Sequence, residues 1–178
     1  MTMDQSEATR VVNAYLDQLD EMHKEGPLRF KEMFERSPAG VGVHELDTDM
    51  RVVRVNAEEL KLLGYRAEEM VGRRVWEIIV MKDASRRAIE QKLKGERELK
   101  PFVRSFRKAD GTAVPLLLSD RYIRDARGEI VGLRTAMAEI RADSDPVAVS
   151  AASRPGDPSA LHVVPAPGTR PAAPFRGR

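Results

Sequence analysis

Three extended segments joined by short turns constrain the fold of this chain more than any other feature. The segments run from Phe102 to Arg107, from Val114 to Arg124 and from Ile130 to Ile140. The connections read Lys108-Ala-Asp-Gly111 and Asp125-Ala-Arg-Gly128, and glycine readily takes the positive φ that tight hairpins need. Strands joined by such short turns pair antiparallel. This part of the chain is therefore predicted to form a three-stranded antiparallel meander.

Two shorter strands precede the meander. Val41 and Val43 predict a first strand, and Val53 and Val55 alternate in a second. A block with helical signals separates this pair from the meander. Five antiparallel strands with helices between the second and the third predict an α+β fold, in which the helices lie on one face of the sheet and an N-terminal helix precedes it.

Helix start and stop signals lie between the two groups of strands. Asn56 is predicted to cap a helix that ends at Gly64, since glycine is favoured just after a helix. Asp83 is predicted to cap a second helix that runs to about Lys94. The buried side of this second helix is predicted to be apolar and to consist of Ala88, Ile89 and Leu93.

Residues 1–27 are predicted to form a separate amphipathic helix. Asp4 and Glu7 resemble a capping box at its start, and Gly26-Pro27 ends it. Its apolar residues recur at alternating spacings of four and three positions: Ala8, Val12, Tyr15, Leu19 and Met22. Two interpretations stay open, because such a stripe can pack on the protein's own domain or pair with a second copy. In the second case Val12, Tyr15, Leu19 and Met22 would form the dimer contact.

Composition divides the remainder into a foldable domain over residues 28–143 and a tail rich in proline, alanine and arginine over 144–178. Seven of the eleven prolines lie from Pro146 onward, with almost no aromatic residues. Such a segment cannot bury enough apolar surface to offset its ordering entropy, so the tail is predicted to be disordered. From residue 146 the tail carries four arginines and one aspartate, a net charge of +3, whereas the whole chain carries +2. The rest therefore carries −1, without a basic stripe, and nucleic-acid binding is not expected.

The chain has no cysteine, which excludes disulfides, cysteine-ligated metals, thiol nucleophiles and chromophores held by a cysteine adduct. No apolar run is long enough to span a membrane, and the polar start does not resemble a signal peptide, so we expect a cytoplasmic protein. Catalytic motifs are incomplete. Gly40-Val-Gly42, for example, starts a dinucleotide-binding pattern, but Glu45 occupies the position of its third glycine. We expect a protein that is not an enzyme, with no catalytic residue and no metal site.

Five short runs, in order and at suitable spacing, resemble the PAS domain family. They are Phe34-Glu-Arg-Ser-Pro-Ala-Gly-Val41, Asn56-Ala-Glu-Glu-Leu-Lys-Leu-Leu-Gly-Tyr65, Glu68-Glu-Met-Val-Gly72, Arg107-Lys-Ala-Asp-Gly111 and Ile123-Arg-Asp-Ala-Arg-Gly-Glu-Ile-Val-Gly132. The resemblance covers roughly residues 34–141 and is that of a stand-alone sensory protein of the S-box type. It implies a five-stranded antiparallel sheet in the order 2-1-5-4-3, with helices crossing one face.

Members of this family sense signals in a cavity between the sheet and the helices, or act as protein-interaction modules. The resemblance, together with strand alternation, implies a set of candidate cavity residues: Val53, Val55, Leu60, Leu63, Trp76, Ile89, Phe106, Leu116, Leu118 and Met137. Each of these is first of all a core residue, and packing density cannot be derived from sequence. The sequence leaves open whether the core holds a void.

The resemblance leaves the cofactor unknown. Flavin held by a cysteine adduct is excluded, because the chain has no cysteine. Haem is not expected, because residues 56–94 contain no histidine and His44, on the first strand, is the one histidine of the core region. Two alternatives remain, a small ligand bound without a covalent bond (flavin included) and no ligand at all.

The resemblance implies a function in signal transduction, of the kind found in two-component systems and in the regulation of transcription. We expect a non-catalytic sensor that forms a homodimer and binds a protein partner such as a histidine kinase or a transcriptional regulator, away from membranes. Ala138-Glu-Ile-Arg-Ala-Asp143 lacks the Asp-x-Thr segment through which many relatives continue into an output helix, so the partner is expected in trans. The alternatives are a ligand-free protein-interaction adaptor and a PAS-containing transcription regulator.

Overall fold

The computed structural model of this protein describes residues 2–142. Five α-helices are defined there: α1 (Gln5–Glu25), α2 (Pro27–Glu35), α3 (Ala57–Leu63), α4 (Ala67–Met70) and α5 (Lys82–Leu93), with a 3-10 turn at Val75–Ile78. Five strands accompany them: β1 (Val41–Asp47), β2 (Val52–Val55), β3 (Phe102–Arg107), β4 (Ala113–Arg124) and β5 (Ile130–Glu139). The tail predicted over 144–178 lies outside the described residues.

The five strands form one antiparallel sheet in the order β2-β1-β5-β4-β3. This confirms the predicted α+β class and the strand order that the sequence resemblance implies. The two predicted hairpins are present: the N-terminal half of β4 pairs with β3, and β4 pairs with β5 from Leu116 to Arg124, which is the longest pairing of the sheet. In register, His44 lies opposite Thr135, and Thr135 lies opposite Asp120. Three polar residues therefore sit side by side across the middle of the sheet.

Helices cover both faces of the sheet. On the inner face, α3, α4, the 3-10 turn and α5 enclose an apolar core that includes Leu63, Phe106, Leu118 and Met137. On the outer face, α1 and α2 pack over a second core formed with Val41, Val43, Leu117, Ala136 and Ala138. Because α1 and α2 cover the outer face, β4 and β5 are buried on both sides. Their residues point alternately to the two cores.

Helix α1 packs on the protein's own sheet. Its N-cap is Asp4, which accepts a hydrogen bond from the Glu7 backbone N–H at 2.8 Å, as predicted. Five of its side chains are buried against the outer face with an exposure of 1% or less: Ala8, Val12, Tyr15, Leu16 and Leu19. Met22 is partly buried against the same core. Of the two interpretations of the stripe, the structure has the intramolecular one, and in this arrangement the stripe is not available to a second copy.

Two predictions about α5 are wrong. The helix begins at Lys82 with Met81 at the N-cap, so Asp83 lies in its first turn and is not the cap. Its buried residues are Ser85, Ala88 and Lys92, whereas Ile89 and Leu93 are only partly buried. The helix presents polar groups inward because the facing part of the sheet is itself polar.

Within residues 2–142, no helix combines the length and the apolar character that a membrane span requires. In the same range, no group of three or more histidine, aspartate and glutamate side chains is arranged to hold a metal ion.

Candidate functional site

A buried polar cluster lies between α5 and the inner face of the sheet. His44 on β1, Asp120 on β4 and Thr135 on β5 form its base, and all three are buried. Their side chains share one face because residues opposite each other in an antiparallel sheet point the same way. We call these residues, together with Glu59, Ser85, Lys92 and Arg104, the inner cluster.

Lys92 and Asp120 form an ion pair at the centre of the inner cluster. The Lys92 Nζ lies 2.6 Å from the Asp120 Oδ2, and the two side chains are 5% and 6% exposed. The Thr135 hydroxyl donates to the other carboxylate oxygen, Oδ1, at 2.6 Å. The Lys92 Nζ also lies 3.8 Å from the centroid of the Phe102 ring. Each charge is thus compensated in a region where an isolated charge would be costly.

Arg104, on strand β3, extends the inner cluster toward the edge of the sheet. Its guanidinium donates a short hydrogen bond to the Ser85 hydroxyl of α5 and stacks 5.4 Å from the centroid of the Phe102 ring. Both Arg104 and Ser85 are buried. Together with the Lys92–Asp120 pair, this contact fixes the buried side of α5 to β3 and β4 by polar groups.

Glu59 connects the inner cluster to α3. The His44 Nδ1 and Glu59 Oε1 atoms are 2.7 Å apart in a fully buried contact. The second carboxylate oxygen, Oε2, is buried without a hydrogen-bond partner among the described residues. Gly42 lets α3 approach this closely, because a Cβ atom there would lie 2.7 Å from the Glu59 Cβ. The start of α3 is held by Asn56, whose Oδ1 accepts from the backbone N–H groups of both Glu59 and Val43.

The charges around His44 favour its protonated form. Burial by itself would lower the pKa of the imidazole. The carboxylate of Glu59 opposes this through its charge and its hydrogen bond, with help from Asp120 and Glu45, and the pKa of His44 is raised above its ordinary value. The His44–Glu59 pair is therefore a buried contact between opposite charges.

The inner cluster surrounds a small cavity of about 30 Å³. Its walls combine the polar groups with apolar side chains: His44, Leu46, Val75, Ile79, Ser85, Ala88, Ile89, Lys92, Phe102, Arg104, Phe106, Leu118, Asp120, Leu133 and Thr135. A cavity of 10–15 Å³ on this measure holds roughly one water molecule, so this one holds about two. Pockets for drug-sized ligands are roughly 300–1,000 Å³. The inner core is thus nearly filled.

The ten cavity residues predicted from the sequence divide into four groups. Ile89, Phe106 and Leu118 line the cavity. Leu63, Leu116 and Met137 belong to the same core without lining the cavity, and Val55 and Leu60 pack partly buried against that core. Trp76 is half-buried outside the lining, its Nε1 has no partner among the described residues, and Arg86 lies 5.9 Å from its ring centroid. Val53 is 52% exposed.

The prediction for Val53 is wrong because of a β-bulge. In the pairing of β1 with β2, Glu45 faces Arg54 and Leu46 faces Val52, so Val53 is the extra residue without a partner. The alternation that begins at Val55 is interrupted there. Val52, which is buried, takes the inward position instead.

The sequence interpretation missed most of the inner cluster. It considered His44 only as a lone strand histidine and gave Glu59, Lys92, Arg104 and Asp120 no part in a buried polar site. One signal was present for three of them, since Arg104 shares the face of Phe102 and Phe106 on β3. Asp120 continues the alternation of Leu116 and Leu118, and Lys92 lies one helical turn after Ala88. Charged residues in phase with the apolar side of an element are the sign of a buried polar site.

Residues that are adjacent in sequence to Asp120 and Thr135, and whose side chains lie on the outer face of the sheet, bind α1. Arg121, next to Asp120, lies 2.7 Å from Asp17, and Arg134, next to Thr135, lies 3.0 Å from Asp20. The Ser119 hydroxyl donates to the Asn13 side chain at 2.7 Å. We call these three contacts the α1 clamp. The same short segments of β4 and β5 thus carry the inner cluster on one face and the α1 clamp on the other.

Comparison with known proteins identifies relatives of this arrangement. A family model described as "PAS domain" matches residues 38–142, which is more than half of the chain. No curated protein matches the chain significantly.

Solved structures share the fold. The PAS domain of an HTR-like protein from Haloarcula marismortui is 25% identical, with a TM-score of 0.54 over 70% of this chain and 99% of that chain. The PAS domain of a protein from Colwellia psychrerythraea is 15% identical, with a TM-score of 0.55 over 62% of this chain and 92% of that one. A Rhodobacter sphaeroides LOV protein is 19% identical, with a TM-score of 0.52 over 66% and 69%. The last two similarities show the fold alone.

Proposed function

This chain belongs to the PAS domain family, a family of signal-sensing modules, and we propose that it senses a small ligand at the inner cluster and reports the state of that cluster through α1. The proposed module holds its ligand without converting it. Its protein partner acts in trans, and a histidine kinase or a transcriptional regulator fits that role.

One observation carries this proposal. Asp120 and Thr135 belong to the inner cluster, and the residues next to them in the chain, Arg121 and Arg134, belong to the α1 clamp. A shift of either strand that accommodates a ligand on the inner face moves the clamp on the outer face by a similar distance, since adjacent residues of a strand share one backbone. The sheet thus supplies a direct mechanical connection between input and output.

The free energy that ligand binding supplies limits how far α1 can move away from the sheet. Its four large, fully buried side chains contribute about 1.5–3 kcal/mol each, so complete release from the sheet costs on the order of 6–12 kcal/mol. Ligands typically shift such equilibria by about 1–3 kcal/mol. The proposed output is therefore a change in the polar clamp at Asp17 and Asp20, with the apolar contacts kept. The exposed side of α1 is then the surface that a partner reads.

The proposed homodimer has to be compatible with the packing of α1 on the outer face of the sheet. Val12, Tyr15, Leu19 and Met22 can serve a dimer only if α1 is exchanged between two copies, because each copy then keeps an equivalent apolar contact. Light scattering on the full chain, with and without Tyr15→Asp, tests this. In an exchanged dimer Tyr15→Asp places a charge in the core of each fold and should lower its stability, so a dimer that dissociates into monomers of unchanged stability contradicts the exchange.

A second candidate function is that of a ligand-free interaction adaptor. The observation that favours it is the small volume of the cavity, about 30 Å³, which leaves the core nearly filled. An adaptor would use the same outer surface without an input on the inner face.

Native mass spectrometry and thermal unfolding of the full chain with a panel of small metabolites separate the two functions. The sensor is expected to show a bound mass or a ligand-dependent rise in Tm that Asp120→Asn removes. Asp110→Asn, in the exposed turn between β3 and β4, is the matched control and should keep the effect. A clean apo mass with no stabilising ligand identifies the adaptor and contradicts the sensor.

A further inference from the structure

We infer that the run Leu161-His-Val-Val164, in the C-terminal tail, docks into an open groove on the outer face of the sheet of the same chain. This docking does not depend on the inner cluster or on its ligand. Three observations support it: the apolar surface that the groove exposes, the balance of charge in the groove and in the run, and the length of chain that connects the two.

The groove lies beside the end of α1 and the start of α2. Its apolar lining comes from the start of α2 and from strands β2, β4 and β5, and includes Pro27, Phe30, Val53, Ile123 and Val131. We call these five residues the outer groove. The groove encloses about 580 Å³. Pockets that bury most of a ligand are roughly 300–1,000 Å³, so the outer groove has room for several side chains of a bound segment.

Two irregularities of the sheet expose apolar side chains in the outer groove. Val53 is the extra residue of the bulge between β1 and β2, and Val131 lies at the register shift between β4 and β5. Their side chains are 52% and 42% exposed. Among residues 2–142, only four large apolar side chains have such exposure, and these are two of them. Exposed apolar residues that share one groove mark an interaction surface.

The charges that line the outer groove are balanced. Glu45 and Asp47 contribute two carboxylates. Lys31 and Arg54 contribute two cations, and the Arg54 Nη1 lies 3.5 Å from the Glu45 Oε1. A strongly charged partner therefore gains little attraction here, since electrostatic complementarity requires a surface of the opposite sign. An uncharged apolar segment suits this groove best.

The tail contains one run with this character. Residues 158–169 include no aspartate, glutamate, lysine or arginine. Near their centre, Leu161, Val163 and Val164 form the densest group of large apolar residues in 143–178. Removing such side chains from water is the main favourable contribution to association between apolar surfaces. The run thus supplies the apolar side chains that can cover Val53 and Val131.

The groove lies at the opposite end of the sheet from the start of the tail. The tail leaves the sheet at Ile140, which pairs with Met3 just before α1 begins. The other end of α1 reaches the outer groove, where His23 contributes to the lining. The 21 residues of α1 span about 30 Å, so the groove lies about 30 Å from the start of the tail.

Only part of the tail can cover this distance. Val147 lies seven residues after Ile140, and an extended chain of that length reaches about 25 Å, which is too short. Leu161 lies 21 residues after Ile140, so a chain of about 70 Å is available to it. This is enough to pass around α1 and α2. The apolar run is therefore within reach of the groove, and Val147 is not.

A docked run closes the end of the outer face next to α1. Val53 and Val131 are then covered by the tail of their own chain. A protein partner that binds this end of the sheet has to displace the run first. The tail therefore competes with such a partner.

Paramagnetic relaxation in the ¹⁵N-labelled full chain tests the docking. Because the chain has no cysteine, Thr169→Cys provides a single position for a nitroxide label close to the run. Amide signals of residues 45–54 and 123–131 are expected to lose most of their intensity relative to the reduced label. Signals of α5, on the other face of the sheet, should keep theirs. Full intensity at the groove overturns the inference.

Two pairs of variants, each carrying the label, locate the contact. Val163→Asp should restore the groove signals, whereas Val147→Asp, in the same tail but out of reach, should not. On the sheet, Val131→Asp should restore them, whereas Val71→Asp, 47% exposed and outside the lining, should not. Equal intensities in a variant and its control overturn the assignment. If Val131→Asp loses its dispersed spectrum, the pair in the tail decides alone.

A mixed sample distinguishes docking within one chain from docking between two copies. The ¹⁵N-labelled chain without nitroxide is combined with nitroxide-labelled chain at natural nitrogen abundance. Unchanged groove signals support docking within the chain. Loss of intensity in this mixture shows that a second copy supplies the run and overturns the inference. Both results are separate from the proposed sensor, whose ligand is detected by the bound mass and by the effect of Asp120→Asn.

Discussion

The ion pair between Lys92 and Asp120 gives the sharpest test of the inner cluster. Lys92→Met keeps the length of the side chain and removes its charge, so Asp120 stays buried and keeps the hydrogen bond that the Thr135 hydroxyl donates to it. Breaking a buried pair in this way costs about 3–5 kcal/mol. Because Thr135 still stabilises the carboxylate, we expect a loss near the lower limit, about 3 kcal/mol in the free energy of unfolding.

A double-mutant cycle measured by urea unfolding at neutral pH isolates the coupling free energy between Lys92 and Asp120. Asp120→Asn alone leaves Lys92 without its counter-ion, whereas the double variant leaves neither charge behind. The double variant should therefore lose less stability than the sum of the single variants, by about 1.5–3 kcal/mol.

An exposed pair on the same helix supplies the control for this cycle. Arg86 and Glu90 lie 3.0 Å apart, with side chains 56% and 36% exposed. Their coupling should be about 0.5 kcal/mol or less. The reasoning is refuted if the buried cycle gives no larger coupling than the exposed one, or if Lys92→Met costs less than about 1 kcal/mol.

Three further predictions concern packing and pH. Tyr15→Phe removes a hydroxyl whose one proton is shared between the backbone carbonyls of Met33 and Phe34 in α2, and a loss of about 1–2 kcal/mol in urea unfolding is expected; no loss would mean that this hydrogen bond does not stabilise the packing of α1 on α2. Gly42→Ala forces α3 away from β1 at Glu59 and should cost about 1–3 kcal/mol, so an unchanged Tm contradicts the close contact. The raised pKa of His44 contributes stability that is complete below its ordinary value near 6.5 and is lost as the pH rises through the folded value. Unfolding across that pH window should show this decline, His44→Gln should abolish it, and the exposed His23→Gln should not.

Local signals were sufficient to predict much of the fold. The hairpins at Gly111 and Gly128, the cap at Asn56 and the turn at Gly64 each depend on residues within a few positions of one another. Their conformations are set by backbone geometry and by capping hydrogen bonds, which act over short distances. The strand order then came from the family resemblance rather than from these signals.

The apolar stripe of α1 shows what residue spacing alone cannot predict. A helix that packs on its own sheet and a helix that pairs with a second copy both bury apolar residues spaced by three and four. The stripe at Val12, Tyr15 and Leu19 therefore has the same appearance in either case. The partner that covers it depends on the outer face of β4 and β5, which is far away in sequence.

The inner cluster could not be derived from sequence for a related reason. Lys92 and Asp120 are separated by 28 positions, and His44 and Glu59 by 15. Their meeting depends on the register of three strands and on the angle of two helices. A single bulge at Val53 is enough to turn one predicted cavity residue outward. Such registers follow from the whole set of packing contacts, and no local pattern encodes them.

If the inner cluster controls the docking of α1 through β4 and β5, hydrogen exchange of the full chain should detect the control. Asp120→Asn should speed exchange in the C-terminal half of α1 more than its overall loss of stability explains. Leu63→Ala, in the same inner core but on α3, should match the loss of stability without this local effect. Equal exchange of α1 in the two variants would contradict control of α1 by the inner cluster, because the two faces of the sheet would then be independent.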